Sequence, residues 1–403
     1  LVHAAIKLSI FVTGLLLNIH YRSSLKLSIM NDHSSSHSRR KALQKLSLGL
    51  GALALGTSAT EEAWARIPSV GQEKKLGVAL VGLGIYSTQQ LAPALQQTQY
   101  CRLAGIVTGS PDKADAWAKQ YNIPRKNIYN YDTFDQIRNN SDIDIVYVVL
   151  PNAMHAEYTI RAAQAGKHVI CEKPMALTVS DCQRMVAACK AANRELSVGY
   201  RLYFEPHHLE ARRLGTKGEM GKVKMVEASL GFSMANPKSW RLDKKLGGGG
   251  AIVDLGLYAI QGARRVIGEE PVSVTAQGFV RDKAIFKDIY ETIFWQMDFP
   301  SGALSNHSTT YTSYVDRLYA TAEKGWFSLN PAFNATGAKG ETSKGPMNFS
   351  PPKYQQIAQM DDFANCILDK RKSIVSGEEA IKDIRVIEAI FRSLETGGSV
   401  KLA

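Results

Sequence analysis

From residue 76 the chain alternates short apolar runs with stretches of helical periodicity. Apolar runs at 76–81, 103–107, 143–150, 168–171 and 196–199 read as buried strands. Between them, 88–98, 111–120, 154–165 and 178–192 carry apolar residues at helix spacing. This alternation predicts a parallel sheet with right-handed crossovers. After residue 199 the pattern changes. A helix near 204–215, a strand near 222–232 and a helix near 251–267 precede strand candidates at 272–280, 290–299, 303–311 and 318–322. Consecutive strands indicate an antiparallel sheet. Residues 331–353, rich in Gly, Pro, Asn and Lys, read as a loop, and helices near 355–369 and 378–395 close the pattern. The expected fold class is α/β. Residues 66–198 are expected to form a domain on the parallel sheet, and 199–403 an α+β domain with a largely antiparallel sheet.

Composition adds constraints. The chain has 403 residues, 45% hydrophobic and 21% charged, enough apolar material for a large core and too much for a disordered chain. Its formal charge is +12, of which residues 1–65, with seven Lys/Arg and three Asp/Glu, supply +4. A moderately basic remainder favours anionic ligands such as phosphorylated cofactors. The charges are scattered and no nucleic-acid module is present, so nucleic acid is not an expected partner. Cys101, Cys171, Cys182, Cys189 and Cys366 form no C-x-x-C pair, which implies neither a metal site nor a disulfide scaffold. Cys182 and Cys189 read as buried small hydrophobes on one helix face.

Residues 1–65 read as an address rather than part of the fold. Arg39-Arg40 precede an apolar stretch at 46–59, followed by Ala63-Trp64-Ala65 as a small-x-small cleavage site. The paired arginines resemble a twin-arginine export signal, with Ala42 where that signal usually carries Phe. This predicts the export machinery as a partner and the periplasm as the destination. An uncleaved anchor is the competing reading, although a stretch of 14 residues rich in Gly is short for a span. Residues 1–29 precede the first methionine, Met30, and are read as a mis-assigned start.

The first strand runs into Val81-Gly82-Leu83-Gly84-Ile85-Tyr86-Ser87, a G-x-G-x-x-S fingerprint opening a helix. Gly82 allows the tight turn, Gly84 lets the backbone approach a pyrophosphate, and Ser87 permits close packing. An NAD enzyme usually places Asp or Glu about 20 residues on, at the end of the second strand. Here that segment reads Val107-Thr108-Gly109-Ser110-Pro111-Asp112-Lys113. Thr108 and Lys113 suit a 2′-phosphate, so NADP is expected. The plainer reading of Lys113 is a solvated helix charge.

Two further segments carry chemistry: Cys171-Glu172-Lys173-Pro174 at a strand end, and Gly247 to Tyr258, with Asp254 and Tyr258 four apart. On a helix that pair shares a face. A Tyr can exchange the alcohol proton during hydride transfer if a nearby ammonium lowers its pKa from near 10. Lys173 could supply the ammonium, and Asp254 could orient a substrate hydroxyl.

The fingerprint, Leu150-Pro151-Asn152-x-x-His155, Glu172-Lys173-Pro174, Trp240-Arg241 and the glycine run with Asp254 occur in an order that resembles the glucose–fructose oxidoreductase/inositol dehydrogenase/rhizopine catabolism (Gfo/Idh/MocA) superfamily. The likeness spans about residues 75–400. Tyr258, where most members place His, is similar to the glucose–fructose oxidoreductase branch, as are Ile128-Tyr129-Asn130-Tyr131, 181–185, 268–271 and Trp295-Gln296-Met297. The resemblance implies a Rossmann domain followed by an open-faced sheet that forms a homo-oligomer. It implies tightly held NADP and sugar substrates. It assigns Lys173, Asp254 and Tyr258 to catalysis. It assigns Gly82, Leu83, Gly84, Ile85, Tyr86, Thr108, Lys113, Tyr131, Leu150, Pro151, Asn152, His155, Glu172, Lys173, Arg201, Trp240 and Arg241 to the cofactor. On plainer readings Pro151 and Pro174 shape turns, Trp240 packs in the core and His155 caps a helix. The ten residues Arg66–Lys75 before the first strand make a shorter arm than the branch carries.

Together these features predict an exported NADP enzyme. It oxidises an aldose to its lactone and reduces a second sugar carbonyl by ping-pong chemistry, since a periplasm holds no useful soluble NADP pool. The alternatives are an NADP-dependent sugar or polyol dehydrogenase with exchangeable cofactor, and a non-catalytic dinucleotide-binding sensor. The presence of both Lys173 and Tyr258 disfavours the sensor.

Overall fold

The computed structural model describes residues 75–234 and 236–402; the export signal and the possible anchor fall outside them. The first sheet comprises β1 (Leu76–Val81), β2 (Cys101–Val107), β3 (Ile128–Tyr129), β4 (Ile145–Val148), β5 (His168–Cys171) and β6 (Leu196–Val198). All pair in parallel, in the order β3-β2-β1-β4-β5-β6, so the order reverses between β1 and β4. A crevice at that reversal, outside the carboxyl ends of the strands, is where open α/β sheets bind ligands.

Strand periodicity sorts the core into two layers. Ala79, Val81, Val107, Val146 and Val148 face α3 (His155–Gln164) and α4 (Val179–Ala191). Val78, Leu80, Ile106, Ile145 and Tyr147 face the opposite side. There they meet α1 (Ala92–Leu95), α2 (Pro111–Tyr121) and α8 (Gln356–Leu368). The helix expected at 88–98 begins as a π turn, Ser87–Leu91, before α1. Pro93 explains the change: it has no N–H and its ring clashes with a carbonyl four residues back, so the preceding turn widens.

The second sheet comprises β7 (Val223–Gly231), β8 (Ser273–Phe279), β9 (Thr292–Asp298), β10 (Leu304–Thr310), β11 (Val315–Ala322), β12 (Gly325–Leu329), β13 (Gly340–Thr342), β14 (Gly345–Met347) and β15 (Val400–Lys401). Its order is β14-β13-β12-β11-β7-β10-β9-β8-β15. Pairing is antiparallel except between β7 and β10, so the sheet is largely antiparallel as expected. One face is covered by α7 (Leu257–Ile267) and α9 (Gly377–Thr396), with α5 (Pro206–Thr216) packed against α7. On the other face the alternate side chains Thr275, Gln277, Phe294, Gln296, Asn306 and Arg317 are exposed.

Two expectations need correction. Part of the segment read as a loop, 331–353, is the β13–β14 hairpin, whose three-residue strands are too short to show a period of two. The division at residue 199 is also not a clean cut. Helix α8, far downstream, buries Met360, Phe363, Ala364 and Cys366 against the first sheet. The chain therefore crosses back to complete the first layer.

Candidate active site

The glycine turn after β1 is fixed by close backbone approach. Gly82 lies at φ +95°, and a Cβ there would stand 2.4 Å from the Val149 carbonyl oxygen. Only glycine makes that turn without strain. Ser87 Oγ donates to the Gly82 carbonyl at 2.6 Å, so the third fingerprint position closes the turn as well as packing tightly. A Cβ at Gly84 would meet no protein atom within 4 Å. The space a pyrophosphate needs beside the backbone is therefore open.

A cleft of about 580 Å³ runs from this turn to the second domain. Its walls gather Gly82, Leu83, Gly84, Ile85, Tyr86, Thr108, Lys113, Tyr131, Leu150, Pro151, Asn152, Glu172, Lys173, Arg201, Trp240, Arg241, Asp254 and Tyr258. Thus every residue assigned to the cofactor or to catalysis, except His155, lines one space. At one end Thr108 follows β2, and Lys113, on the first turn of α2, reaches back so that its Nζ donates to the Leu83 carbonyl at 3.4 Å. Among the described residues the acidic side chains lining the cleft are Glu172 and Asp254. Among the described residues no carboxylate therefore lines the cleft beside Thr108 and Lys113, and that end suits an anionic group. The residues present fit a dinucleotide with a 2′-phosphate.

Asp254 is the hub of the other end. It lies in a π turn, Ile252–Gly256, that leads into α7, so the turn between Asp254 and Tyr258 is wider than an α-helical one, yet both side chains reach the cleft. The glycine run sets the approach. Gly249 lies at φ +139°, and a Cβ there would stand 2.4 Å from Phe391 Cζ. Asn152 Nδ2 donates to the Gly247 carbonyl at 2.9 Å, tying this run to the first domain.

Lys173 Nζ donates to the Asp254 carbonyl at 2.8 Å and to its Oδ1 at 3.1 Å. Asp254 Oδ2 accepts from Arg241 Nε at 3.0 Å and from the Tyr311 hydroxyl at 3.1 Å. Burial disfavours the Asp254 carboxylate, but the Lys173 and Arg241 cations and the hydrogen bonds outweigh it and hold the carboxyl below its usual range. Burial likewise disfavours the Lys173 ammonium, but Tyr258, Asp254 and Glu172 raise its pKa, so it stays charged. That ammonium lies 4.7 Å from the centroid of the Tyr258 ring, and the Arg201 guanidinium carbon lies 5.3 Å from it. Two cations thus face the ring, while the hydrogen bonds of Lys173 go to Asp254.

Other residues brace this end. Glu172 is buried, with Oε1 accepting from the Tyr147 hydroxyl at 2.6 Å, and burial pushes its carboxyl up. Gln359 of α8 donates to the same tyrosine oxygen at 2.8 Å, and Gln356 donates to Tyr86 at 3.0 Å. Arg201 donates to the Phe333 carbonyl at 2.6 Å and to Gln355.

The structure does not bring His155 to the cofactor space. It is buried at the start of α3, with Nδ1 2.7 Å from the Pro174 carbonyl and Nε2 2.9 Å from the Leu150 carbonyl. Both ring nitrogens are engaged by the loops after β4 and β5, which leaves none for a ligand. Sequence reasoning missed Tyr311, Gln355, Gln356 and Gln359, whose flanking residues form no motif. All five cysteines are buried and free, and burial pushes the thiols of Cys101, Cys182, Cys189 and Cys366 up to about 12.

The chain resembles known proteins in sequence and in fold. The chain is similar to the aldose-aldose oxidoreductase of Caulobacter crescentus, solved in complex with glycerol, at 43% identity over 82% of this chain and 100% of that one, with a TM-score of 0.79. It is 27% identical to the D-xylose 1-dehydrogenase [NADP(+)] of Haloarcula marismortui over 80% of this chain and 92% of that protein. It is 28% identical to the inositol 2-dehydrogenase of Rhizobium meliloti over 77% of this chain and 95% of that protein. Residues 76–200 match the oxidoreductase family with an NAD-binding Rossmann fold, and residues 208–341 match the GFO/IDH/MocA C-terminal domain. With both domains matched around a single cleft, the chain belongs to the GFO/IDH/MocA family of oxidoreductases, acting on CH–OH groups.

Proposed function

We propose that this protein is an NADP-dependent sugar oxidoreductase that oxidises an aldose to its lactone and then reduces a second sugar carbonyl in the same cleft. One observation carries the reading. Lys173, Asp254 and Tyr258 stand at one end of the cleft whose other end holds the glycine turn, Thr108 and Lys113. The names of the sugar-acting relatives support the substrate class.

Gly82, Gly84 and the turn to Ser87 would hold the pyrophosphate, and Thr108 and Lys113 the 2′-phosphate. Bound NADP supplies the acceptor, and in its reduced form the donor, of the hydride. Tyr258 takes the anomeric hydroxyl proton as the first sugar is oxidised. It returns a proton to the carbonyl oxygen of the second as that oxygen gains negative charge. The Lys173 ammonium, facing the ring, stabilises the negative charge that the Tyr258 oxygen carries before it takes the first proton and again after it gives one to the second sugar; between the two half-reactions the residue is a neutral phenol. Asp254 anchors that ammonium, and Arg241, partly exposed, lines the cleft beside it. Closing both half-reactions on one bound cofactor suits an exported enzyme. The export signal proposed at Arg39-Arg40, 46–59 and Ala63-Trp64-Ala65 rests on the sequence.

The test needs no added cofactor. Mass analysis of small molecules released on denaturation identifies the dinucleotide. Sugars are then added singly to the dialysed protein while absorbance near the nicotinamide band is followed. An aldose that raises the band, and a second sugar that removes it, are the expected results. A protein that releases no dinucleotide, or whose nicotinamide no sugar reduces, defeats the reading.

A further inference from the structure

Asp254 carries more of the site's order than its position in the sequence suggests. Its carboxylate accepts from three donors on three separate segments: Lys173 after β5, Arg241 in the turn Trp240–Leu242, and Tyr311 just past β10. Among the described residues these are the ionisable groups bonded to the carboxylate, and Tyr258 shares its helix. The three donors differ in kind. Lys173 and Arg241 line the cleft and belong to the substrate space. Tyr311 does not line it. Its side chain is buried among Ala251, Leu255, Phe286 and Ile289, on the far side of the carboxylate. The hydrogen bond to Asp254 Oδ2, at 3.1 Å, is the one its hydroxyl makes among the described residues. Backbone bonds hold the tyrosine in place: Tyr311 N donates to the Glu291 carbonyl at 3.0 Å, and Met234 N donates to the Tyr311 carbonyl at 2.9 Å.

We infer that Tyr311 is a positioning residue of the proton-transfer machinery: its buried hydroxyl fixes the Asp254 carboxylate from behind, and through it the Lys173 ammonium that faces Tyr258. The inference rests on the proton-transfer reading above. A sugar entering the cleft competes for Arg241, which is partly exposed, but it has no path to Tyr311. Tyr311 therefore keeps one carboxylate oxygen oriented while Arg241 moves. Burial and the neighbouring carboxylate push the Tyr311 phenol well up, so it remains a donor through the working pH range.

Tyr311→Phe keeps the ring and removes only the hydroxyl. The expected result is a fall in kcat of about 10-fold, the scale of one hydrogen bond to a charged group. The KM for the sugar should stay within about two-fold, and the acid limb of the kcat profile should move up by about one pH unit, because the carboxylate loses a donor. A hydroxyl that served packing alone would lower thermal stability and leave that limb in place. Unchanged kcat and an unchanged acid limb overturn the inference. A second measurement does not depend on turnover. In protein labelled with 13C at the aspartate carboxyls, the Asp254 resonance is identified by its loss in Asp254→Asn and titrated in the parent and in Tyr311→Phe. A higher midpoint in the Phe variant is expected, and superimposable titration curves overturn the inference. If no sugar reduces the parent's nicotinamide, the functional reading fails, while the carboxyl titration still judges Tyr311.

Discussion

Asp254 and Tyr258 make opposite demands on their surroundings. In the proposed mechanism the carboxyl stays ionised while buried, and the phenol exchanges a proton. Lys173 serves both, bonded to the first and facing the ring of the second. Tyr258→Phe should lower turnover by at least about 10²-fold in a steady-state assay, the scale of general acid–base catalysis. Asp254 also leaves a mark on stability. Its pKa is depressed in the folded state, so its contribution is present above the ordinary carboxylate value, about 3.9, and is lost as pH falls through the lower folded value. Asp254→Asn should therefore flatten the decline of urea-unfolding stability below about pH 4. It should also cost about 3 kcal/mol at neutral pH by leaving two cations unpaired. That Lys173, Asp254 and Tyr258 would share one cleft was legible in the sequence because all three sit inside motifs. Tyr311 was not, because it meets Asp254 only through a turn at the end of β10, 57 residues further along the chain.

At the scale of elements, the proposed preference for NADP rests on the loop between β2 and α2. Ser110 caps α2 through the Lys113 amide, and that first turn aims Lys113 at the cleft beside Thr108. Lys113→Ala should weaken NADP about 10-fold while changing NAD by less than about two-fold, since one charge-assisted contact to the extra phosphate is removed. Isothermal titration of cofactor-stripped protein reads both constants. The glycine run before Asp254 makes a different demand. Gly249→Ala combines a left-handed backbone with a clash against Phe391 and should destabilise the protein by about 2 kcal/mol or more, measured by urea unfolding. Strands β1, β2 and β5 were readable from apolar runs. The π turns at Ser87–Leu91 and Ile252–Gly256 were not, because they alter a helix by one residue and leave its apolar pattern intact.

The two domains share more than a cleft. Met360 of α8 lies in the core of the first domain although its helix follows eight of the nine strands of the second sheet. The crossing makes the domains depend on each other. Met360→Ala should cost about 2–5 kcal/mol. Unfolding should remain one transition by fluorescence and circular dichroism alike. On the outer face of the second sheet, Phe279 and Phe294 pack edge to face with ring centroids 5.9 Å apart, and both are exposed. We propose that this face joins copies of the chain. Phe294→Lys should then lower the sedimentation coefficient to that of a smaller species.

The sequence by itself determined the two-domain order and the fingerprint turn, and it carries the proposed 2′-phosphate site at the β2 end and the proposed roles of Lys173, Asp254 and Tyr258. Each of these is local: a run, a spacing or a motif within about a dozen residues. The tertiary structure decided which donors converge on Asp254, where His155 turns its two nitrogens, and that a late helix completes an early core. Those are contacts between segments far apart in the chain, and no local pattern of apolar and polar residues encodes which distant partner a buried hydroxyl or imidazole will meet.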